Sequence, residues 1–592
     1  MTVLGTGVDG AVRRLALSYD VRGQVFQSTS YDHAAIGSGS ILNQVQKSYN
    51  DFEQLVTEYH SHGGSVNTMA TPKVQYGFAD GSDNTVRPIG MVYPNGRELT
   101  FEYGTANGID DSSSRIAAII DDDDTTLVEY EYLGQNSFVI ANNSQPDLQW
   151  TLESLTGTDD PETGDIYAGL DRFGRITDCR WRNTDTEEDL SRVQYGYDRD
   201  SNRLWRKNPT DPNGHYDWLY SYDGLQRLKN GNRGTLSGTH DAITDPQFKQ
   251  CWSLDATSNW NGFQQSNNGT DWNLIQSRTA STVNEITDIT NTTGPSWATP
   301  AYDRNGNMNL IPQGKNPSAS YAATYDAWNR LVKLTDTSTS DTVQENQYDA
   351  RNFRVIRQDY ANNTLSETRH FYYTDSWQDI EQRLNSSTDP DQQNVWGIRY
   401  IDDLVLRDRF LPEDSNSSSS TSSSNLSLER LYACQDANWN TTAIVDTNGE
   451  VQERYEYDPY GKMISLAGDF GAETGMLFSW KTTYCGYYSE RNSTIYLARK
   501  RHYFAILGGW GTRDPLFYST GANMYSYAQC NPIRFTDPAG TQPESQDECD
   551  KQNPPDCDGQ WKEVQVRITK FAGVKENVAD VLKNAKRLRQ NR

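Results

Sequence analysis

Two short groups of side chains in this sequence are of the types that bind metal ions. His60 and His62, in EYHSHGG, are two residues apart, a spacing that puts both imidazoles on one face of a strand. No third ligand lies nearby in the sequence, so ordinary surface histidines are the favoured interpretation. The run Asp121–Asp124 offers carboxylates for calcium, but it lacks the alternating ligand spacing of a dedicated calcium loop. We interpret it as a solvated hairpin loop and assign no metal.

The other residues that could carry chemistry indicate no cofactor. The seven cysteines are widely scattered and lack the paired short spacings of a zinc ribbon, and a Cys549–Cys557 bridge is the only disulfide that the spacing suggests. The sequence contains no phosphate-binding G-x-x-x-x-G-K-[ST] loop, no G-x-S-x-G nucleophile elbow and no H-E-x-x-H zinc motif. We therefore predict no cofactor.

A repeated motif runs through most of the chain and predicts its architecture. The motif is Tyr-Asp, two variable residues, Gly or Asn, and a polar residue before an apolar one. Asp303, Asp326 and Asp349 follow one another at intervals of 23 residues, enough for two short strands and two turns. The copies begin at Tyr19, Leu170, Tyr197, Tyr222, Tyr302, Tyr325, Tyr348 and Tyr457.

The chemistry of this motif is that of a tight turn between two strands. Asp can accept hydrogen bonds from the backbone just downstream, and Gly or Asn tolerates positive φ, so D-x-x-G/N closes a hairpin. Flanking stretches such as EVQERYEY alternate in character, as a sheet with one packed face does. One hairpin is marginally stable, whereas hairpins stacked edge to edge bury a continuous face. The repeat therefore predicts an all-β fold with a long, curling sheet.

Composition narrows the classes of function. With 54 Lys and Arg against 80 Asp and Glu, the net charge is −26, which argues against nucleic-acid binding over the acidic body. The N-terminal residues lack the basic and apolar regions of a signal peptide, and nowhere do about 18 apolar residues run together, so no transmembrane segment is predicted. Because the repeat starts at Tyr19-Asp20, we expect the natural polypeptide to extend further upstream.

The sequence predicts three segments. Residues 1–430 form the repeat shell, interrupted by the Ser-rich insert 415–424, and residues 431–540 differ from the repeats. The tail 541–592 begins with a stretch rich in Pro, Asp and Gln that is typical of disorder. It ends in a short basic amphipathic helix, with Val574, Val578, Leu582 and Ala585 at helical spacing.

Residues 431–540 resemble a known family. The run RDPLF, followed by N-M-Y-S-Y, N-P and D-P-x-G, is similar to the Rhs repeat-associated core domain, which follows the YD repeats of bacterial Rhs toxins, the C subunits of insecticidal toxin complexes and the teneurins. The resemblance and the Tyr-Asp period together cover roughly residues 19–540. The resemblance implies a spiralling, hollow, cocoon-like shell of β-hairpins closed by the core domain.

The resemblance also implies a candidate catalytic site. In many relatives the core domain is an aspartyl autoprotease that cuts just after D-P-x-G and releases a toxic C-terminal domain inside the shell. The family's Arg corresponds to Arg501, one carboxylate to Asp514 and the D-P-x-G Asp to Asp537. The position after R-Y-Y, often Asp in the family, is Phe504. A lone carboxyl does not readily act as both acid and base, so autoproteolysis is disfavoured and a plug held by turns and ion pairs is preferred.

Three hypotheses remain. The first is a structural shell of a polymorphic-toxin-like protein, truncated or lacking a full effector, which encloses C-terminal or upstream cargo. The second is an extracellular adhesin that binds carbohydrate or another cell-surface ligand through exposed aromatic clusters. The third is a self-cleaving protease that releases the tail. Secretion or display at the cell surface is expected from the resemblance alone.

Overall fold

The computed structural model describes residues 7–80, 86–153, 167–412, 426–490, 494–519 and 521–545. The chain divides into two compact units, Met1–Asp547 and Glu548–Arg592, and all described residues lie in the first. They form almost entirely antiparallel β-structure, which confirms the predicted all-β class. The predicted Ser-rich insert 415–424, the C-terminal helix and the Cys549–Cys557 pair lie outside the described residues.

The first sheet is built from strands that each pair, antiparallel, with the next one along the chain. A single short helix, α1 (Ile109–Ser113), interrupts this part among the described residues. The strands are β2 (Arg14–Tyr19), β3 (Val25–Tyr31), β4 (Ile41–Tyr49), β5 (Leu55–Ser61), β6 (Lys73–Phe78), β7 (Pro88–Val92), β8 (Glu98–Glu102), β9 (Ala118–Ile120), β10 (Thr126–Leu133), β11 (Ser137–Asn143), β12 (Leu148–Thr151), β13 (Asp178–Asn183), β14 (Asp189–Tyr197), β15 (Arg203–Lys207), β16 (Trp218–Tyr222), β17 (Leu228–Leu236), β18 (Ile243–Leu254), β19 (Trp260–Ser266), β20 (Leu274–Ala280) and β21 (Ile286–Thr293).

The second sheet continues the same sequential pairing through Ala467, and β1 (Val8–Asp9) joins it in parallel beside β24. Its other strands are β22 (Ala301–Tyr302), β23 (Met308–Pro312), β24 (Ser320–Asp326), β25 (Leu331–Asp336), β26 (Thr342–Tyr348), β27 (Arg354–Ala361), β28 (Thr364–Tyr373), β29 (Asp379–Leu384), β30 (Gln392–Trp396), β31 (Leu404–Pro412), β32 (Leu426–Gln435), β33 (Thr441–Asp446), β34 (Val451–Tyr457) and β35 (Met463–Ala467).

The segment after the second sheet, which we call the plug (residues 476–545), has short strands and single 3₁₀ turns. The strands are β36 (Tyr488–Ser489), β37 (Ile495–Ala498), β38 (Arg501–Phe504), β39 (Gly509–Trp510), β40 (Phe535–Thr536) and β41 (Glu544–Ser545). The 3₁₀ turns are Tyr484–Gly486, Phe517–Ser519 and Ala528–Cys530. No helix among the described residues is both long and apolar enough to span a membrane.

The repeat motif closes hairpins as predicted. In the turn at Asp326, the carboxylate Oδ1 accepts hydrogen bonds from the backbone N–H groups of Trp328 at 2.9 Å and Arg330 at 3.1 Å. Asn329, three residues after the Asp, has a φ of 61°, in the left-handed region that Asn and Gly tolerate best. The same pattern of Asp acceptance occurs at Asp20, Asp171, Asp198, Asp223, Asp303, Asp349 and Asp458.

The structure contains further turns of this kind that the motif search missed. Asp255, Asp436, Asp446 and Asn50 each accept the N–H groups two and four residues downstream. None of them belongs to a Tyr-Asp pair, so the Tyr-Asp motif does not predict them. The Asx side chain, rather than the tyrosine, is therefore the constant feature of the turn.

At several turns a tyrosine at the strand end fastens its hairpin to the one before it. The hydroxyl of Tyr325 donates to the carbonyl of Met308 at 3.0 Å, that of Tyr348 to Leu331 at 2.9 Å and that of Tyr373 to Arg354 at 2.9 Å. In all three cases the acceptor carbonyl belongs to the first strand residue after the preceding repeat turn. The ring is thus packed at the strand end while its polar tip is satisfied.

Basic residues four positions after the Asp link neighbouring turns into a row. Arg330 donates from Nη1 to the carbonyl of Asp349 at 2.7 Å, and Arg227 donates from Nη1 to that of Asp255 at 2.6 Å. Because each of these guanidinium groups also pairs with the Asp of its own turn, each one joins two successive turns.

The two sheets pack against each other through a shared apolar core. One buried cluster contains residues of both sheets, among them Leu127, Trp150, Val395 and Leu406. Polar groups cross the same contact, because Trp181 donates from Nε1 to the carbonyl of Gln435 at 2.8 Å and the Tyr93 hydroxyl donates to that of Asn394 at 2.8 Å. The two sheets are therefore in direct side-chain contact at this cluster.

The two groups first considered as metal ligands have structural surroundings. The interpretation of His60 as a surface residue is wrong: it is 1% exposed, and its Nε2 lies 2.7 Å from Glu58 Oε1. His62 is half-buried and lies between the two sheets, with its Nδ1 3.1 Å from Nδ1 of His370. Residues 121–124 connect β9 to β10 and confirm the predicted hairpin loop, although Asp121 is buried in ion pairs with Arg97 and Arg430.

Candidate functional site

The structure brings together the three residues that the sequence singled out. Arg501 begins β38, Asp514 lies in the loop after β39, and Asp537 follows β40. The guanidinium Nη2 of Arg501 is 3.0 Å from Asp514 Oδ2 and 3.4 Å from Asp537 Oδ2. All three side chains are buried, at 3%, 4% and 0% exposure. One guanidinium therefore faces two carboxylates in the interior of the plug.

Local structure holds the first two members in place. The Arg501 guanidinium stacks over the ring of Trp510, 4.2 Å from its centroid, and donates from Nη1 to the carbonyl of Met524 at 3.2 Å. Asp514 Oδ1 accepts the N–H of Leu516 at 2.8 Å, the same side-chain turn that the repeats use. Arg501 and Asp514 are thus fixed by neighbours other than each other.

The D-P-x-G motif forms a turn around the third member. Asp537 Oδ1 accepts the backbone N–H groups of Thr541 at 2.7 Å and Gln542 at 3.0 Å. Gly540 has a φ of +66°, and a Cβ there would lie 2.7 Å from the carbonyl oxygen of Ala498. Both the backbone conformation and the close approach require glycine, so the motif places residues 541 and 542 directly against the Asp537 carboxylate.

The peptide bond after this glycine touches the charged cluster. Arg501 donates from Nε to the carbonyl of Gly540. On the other side of the same bond, the nitrogen of Thr541 faces Asp537 Oδ1. The carbonyl of the Gly540–Thr541 bond is therefore polarised by a guanidinium, while its nitrogen lies against a carboxyl group.

Burial changes the protonation of the cluster. Burial raises the pKa of Asp537, a change that Arg501 and the N–H groups of Thr541 and Gln542 oppose and that Asp514 reinforces. Burial also lowers the pKa of Arg501, against the effect of the two carboxylates. A carboxyl group that holds its proton more readily beside a second carboxylate is the arrangement that acid–base hydrolysis uses.

Phe504 does not occupy the position of a missing partner for Asp514. It lies three residues from Arg501 in β38, so its side chain is on the opposite face of the strand, where it joins an apolar cluster with Ile289, Met308 and Leu507. The second carboxylate beside Arg501 is instead Asp537. The expectation that Asp514 is the only carboxyl group of the site is therefore wrong.

Sequence reasoning missed two features of this site. The hydroxyl of Tyr487 donates to the Asp537 carbonyl at 2.8 Å, and no motif spacing marks this tyrosine among its neighbours. A cleft of about 550 Å³ also reaches Arg501 and Asp514, with Arg304, Trp328 and Phe517 among its lining residues. It is formed by turns of the second sheet against the plug, a long-range contact that a local pattern does not show.

Comparisons with known proteins agree with this architecture. No family model matches the chain. Toxin subunit YenC2 from Yersinia entomophaga is 37% identical over 101 residues, which cover 17% of this chain and 10% of that protein. The tRNA3(Ser)-specific nuclease WapA from Bacillus spizizenii is 23% identical over 244 residues, covering 40% and 9%. The matched regions are thus about a tenth of the length of these curated relatives.

Solved structures show the same fold. The crystal structure of TcdB2-TccC3 without its hypervariable C-terminal region aligns with a TM-score of 0.62 at 14% identity, covering 89% of this chain and 26% of that chain. The Photorhabdus luminescens Tc holotoxin pore aligns with a TM-score of 0.59 at 16% identity, covering 88% and 24%. The Tyr-Asp turns, the stacked hairpins and these comparisons agree, so the chain has the fold of the TcdB2-TccC3 shell and is similar in sequence to YenC2 and WapA, as the resemblance to YD-repeat proteins of the Rhs class led us to expect.

Proposed function

We propose that the chain is the structural wall of a YD-repeat shell in a toxin-like Rhs protein, and that the wall encloses a polypeptide guest. The observation that carries the proposal is the series of stacked hairpins whose turns are linked to one another, as Arg175, Arg227 and Arg330 link theirs to the next turn. We further propose residues 1–430 as the wall, 431–540 as the core domain that closes it and 541–592 as a variable tail. Secretion or surface display goes with this role, since YenC2 is a toxin subunit.

The burial of the tryptophan side chains favours the shell over the adhesin, although some other rings, such as those of Phe52, Phe173 and Phe517, are exposed. A carbohydrate-binding surface requires aromatic rings on the outside, where sugars stack on them. Every Trp among the described residues is buried or half-buried. Tryptophan rings instead pack in the interior, where Trp218, Trp480 and Trp510 are among the largest fully buried side chains.

Protection of a guest tests the shell. We would fuse a short unstructured reporter peptide after Arg592 and digest the purified protein with a nonspecific protease. A shell is expected to slow digestion of the reporter at least tenfold relative to the same peptide fused to an unrelated stable protein. Unfolding the fusion in urea should abolish the protection. Digestion at equal rates in the two fusions would contradict the proposal.

A second activity is favoured by the contact of Arg501 with the Gly540 carbonyl. We propose that the plug hydrolyses its own Gly540–Thr541 bond. Water from the cleft adds to the Gly540 carbonyl carbon as its proton passes to Asp514, and Arg501 stabilises the developing oxyanion. The carbon–nitrogen bond then breaks as Asp537 gives its proton to the Thr541 nitrogen. The products are a Gly540 carboxyl group and a new amino terminus at Thr541.

Intact mass spectrometry tests this cleavage. The wild-type chain is expected to yield a light fragment that starts at Thr541, whereas Asp514→Asn should slow its appearance by at least about 100-fold, because the general base is lost. Asp123→Asn, which changes an exposed carboxylate, is the control and should cleave like the wild type. A single 67.0 kDa species in all three proteins would show that Arg501, Asp514 and Asp537 are only a structural ion cluster.

A further inference from the structure

A small cavity lies where the first sheet, the second sheet and the plug meet. Its volume is about 50 Å³, and its lining includes Arg278 from β20, Tyr302 from β22 and Trp510 from β39. By this measure one water molecule needs roughly 10–15 Å³, so the space holds about three to five water-sized particles. None of its lining residues takes part in the Gly540–Thr541 site apart from Trp510, whose ring supports Arg501.

Arg278 is a buried cation without a counter-charge. It is 4% exposed, and no carboxylate in the described part of the chain lies within ion-pairing distance of it. Its guanidinium donates only to neutral oxygens, to Gln276 Oε1 at 2.8 Å from Nη2 and to the carbonyl of Leu507 at 3.4 Å from Nη1. Burial lowers the pKa of Arg278 to about 9. Buried charges normally occur paired, as Arg354 does with Glu490, so this one calls for a partner.

Aromatic rings account for part of the surroundings of this cation. The guanidinium carbon lies 4.9 Å from the ring centroid of Trp260, 5.5 Å from Phe263 and 5.6 Å from Trp297. Ring faces attract a cation but carry no net charge, so they do not neutralise it. Arg278 is also one of the residues that line the cavity.

Of the residues that the structure describes, three hydrogen-bond donors in or beside the cavity lack acceptors, whereas other lining groups, such as the Asn284 amide and the Tyr525 hydroxyl, have partners. Trp510 is 1% exposed, and its Nε1 has no hydrogen-bond partner among the described residues. The Tyr302 hydroxyl accepts the N–H of Ile286 at 3.3 Å, and within the described ranges its own hydrogen has no acceptor. Gln276, beside Arg278, likewise has a buried Nε2 that finds no partner in the described structure. Unused donors around a lone cation are what an anion-binding site offers.

We propose that this cavity binds a small inorganic anion of about the size of chloride. The anion is held by the Arg278 guanidinium together with the Tyr302 hydroxyl and the Trp510 indole N–H. Water would satisfy single donors, but it would leave the charge of Arg278 uncompensated. Because the three residues belong to the first sheet, the second sheet and the plug, the bound anion joins these three parts of the fold.

Thermal unfolding at constant ionic strength tests the proposal. Replacing sodium gluconate stepwise with sodium chloride is expected to raise the Tm of the wild-type protein by about 1–3 °C in a saturable manner, since a ligand that binds only the folded state stabilises it. Arg278→Met should abolish this rise. Arg454→Met is the matched control, because Arg454 is also buried and also bonds only to neutral oxygens, the carbonyls of Gly468 and Leu190. It should keep the chloride response.

A second variant and a direct measurement keep the test decisive if Arg278→Met fails to fold. Tyr302→Phe removes one neutral hydrogen bond, which should raise the chloride midpoint by about 2–10-fold. Crystals grown in sodium bromide should show an anomalous peak in the cavity within hydrogen-bonding distance of Arg278. A cavity without a bromide peak, or a chloride response that is equal in wild type, Tyr302→Phe and Arg278→Met, would overturn the proposal.

Discussion

Replacing Glu490 with Gln is expected to destabilise the fold by about 3–5 kcal/mol, because it leaves the Arg354 guanidinium buried without a counter-charge and removes one of the two carboxylates beside Arg357, the other being Asp359. Glu490 is 4% exposed, forms an ion pair with Arg354 and lies 3.3 Å from Nη1 of Arg357. Both arginines belong to β27 of the second sheet, whereas Glu490 follows β36 of the plug. The pair therefore joins the plug to the second sheet, and chemical denaturation would measure the loss.

A surface ion pair supplies the control for this prediction. Lys333 and Glu345 are 2.9 Å apart, but their side chains are 38% and 32% exposed. Glu345→Gln should cost less than about 1 kcal/mol, since water screens such a pair. Equal losses in Glu490→Gln and Glu345→Gln would contradict the role given to the buried pair.

Glu490 should also make the stability of the fold depend on pH. Burial disfavours the charged form of Glu490, but Arg354 and Arg357 outweigh it and lower the pKa to about 2. A carboxyl group with a lowered pKa in the folded state contributes stability that is fully present above its unfolded pKa of about 4.3. That stability is lost as the pH falls from about 4.3 towards 2. The wild-type Tm should therefore fall more steeply over this range than that of Glu490→Gln.

The sequence predicted the repeating unit because the forces that shape it are local. An Asp, a residue that tolerates positive φ and a tyrosine are within reach of one another along the chain, so their types alone specify the hairpin. The Tyr-Asp motif does not predict the turns at Asp255 and Asp436, because no tyrosine precedes these residues. Their carboxylates nevertheless accept the same backbone hydrogen bonds.

The packing of the elements was less predictable. His60 lies in β5, which packs near Arg351 of the second sheet, and the Arg351 guanidinium contacts Glu58. The residues around His60 in the sequence do not predict this contact, because Arg351 is almost 300 residues further along the chain. The candidate site shows the same limit. The motifs supplied Arg501, Asp514 and Asp537, but only the fold shows that Phe504 points away and that Asp537 takes the second place beside Arg501.

Two copies of the same turn should contribute differently to the free energy of unfolding, because one is buried and the other is partly exposed. Asp326 and Asp223 each accept two backbone N–H groups and each pair with an Arg four residues on, at 2.6 Å and 2.7 Å. Their side chains are 2% and 26% exposed.

Asp326→Ala is expected to destabilise the fold by about 3–5 kcal/mol, because Arg330, with a side chain only 3% exposed, loses its counter-charge in the interior. Asp223→Ala removes the same bonds at a site where water can solvate the freed groups, so about 1–2 kcal/mol is expected. Denaturant midpoints of the two variants would measure the difference. If both lose the same stability, the turn contributes only its local hydrogen bonds, and the linkage of Arg330 to the neighbouring turn adds nothing to the wall.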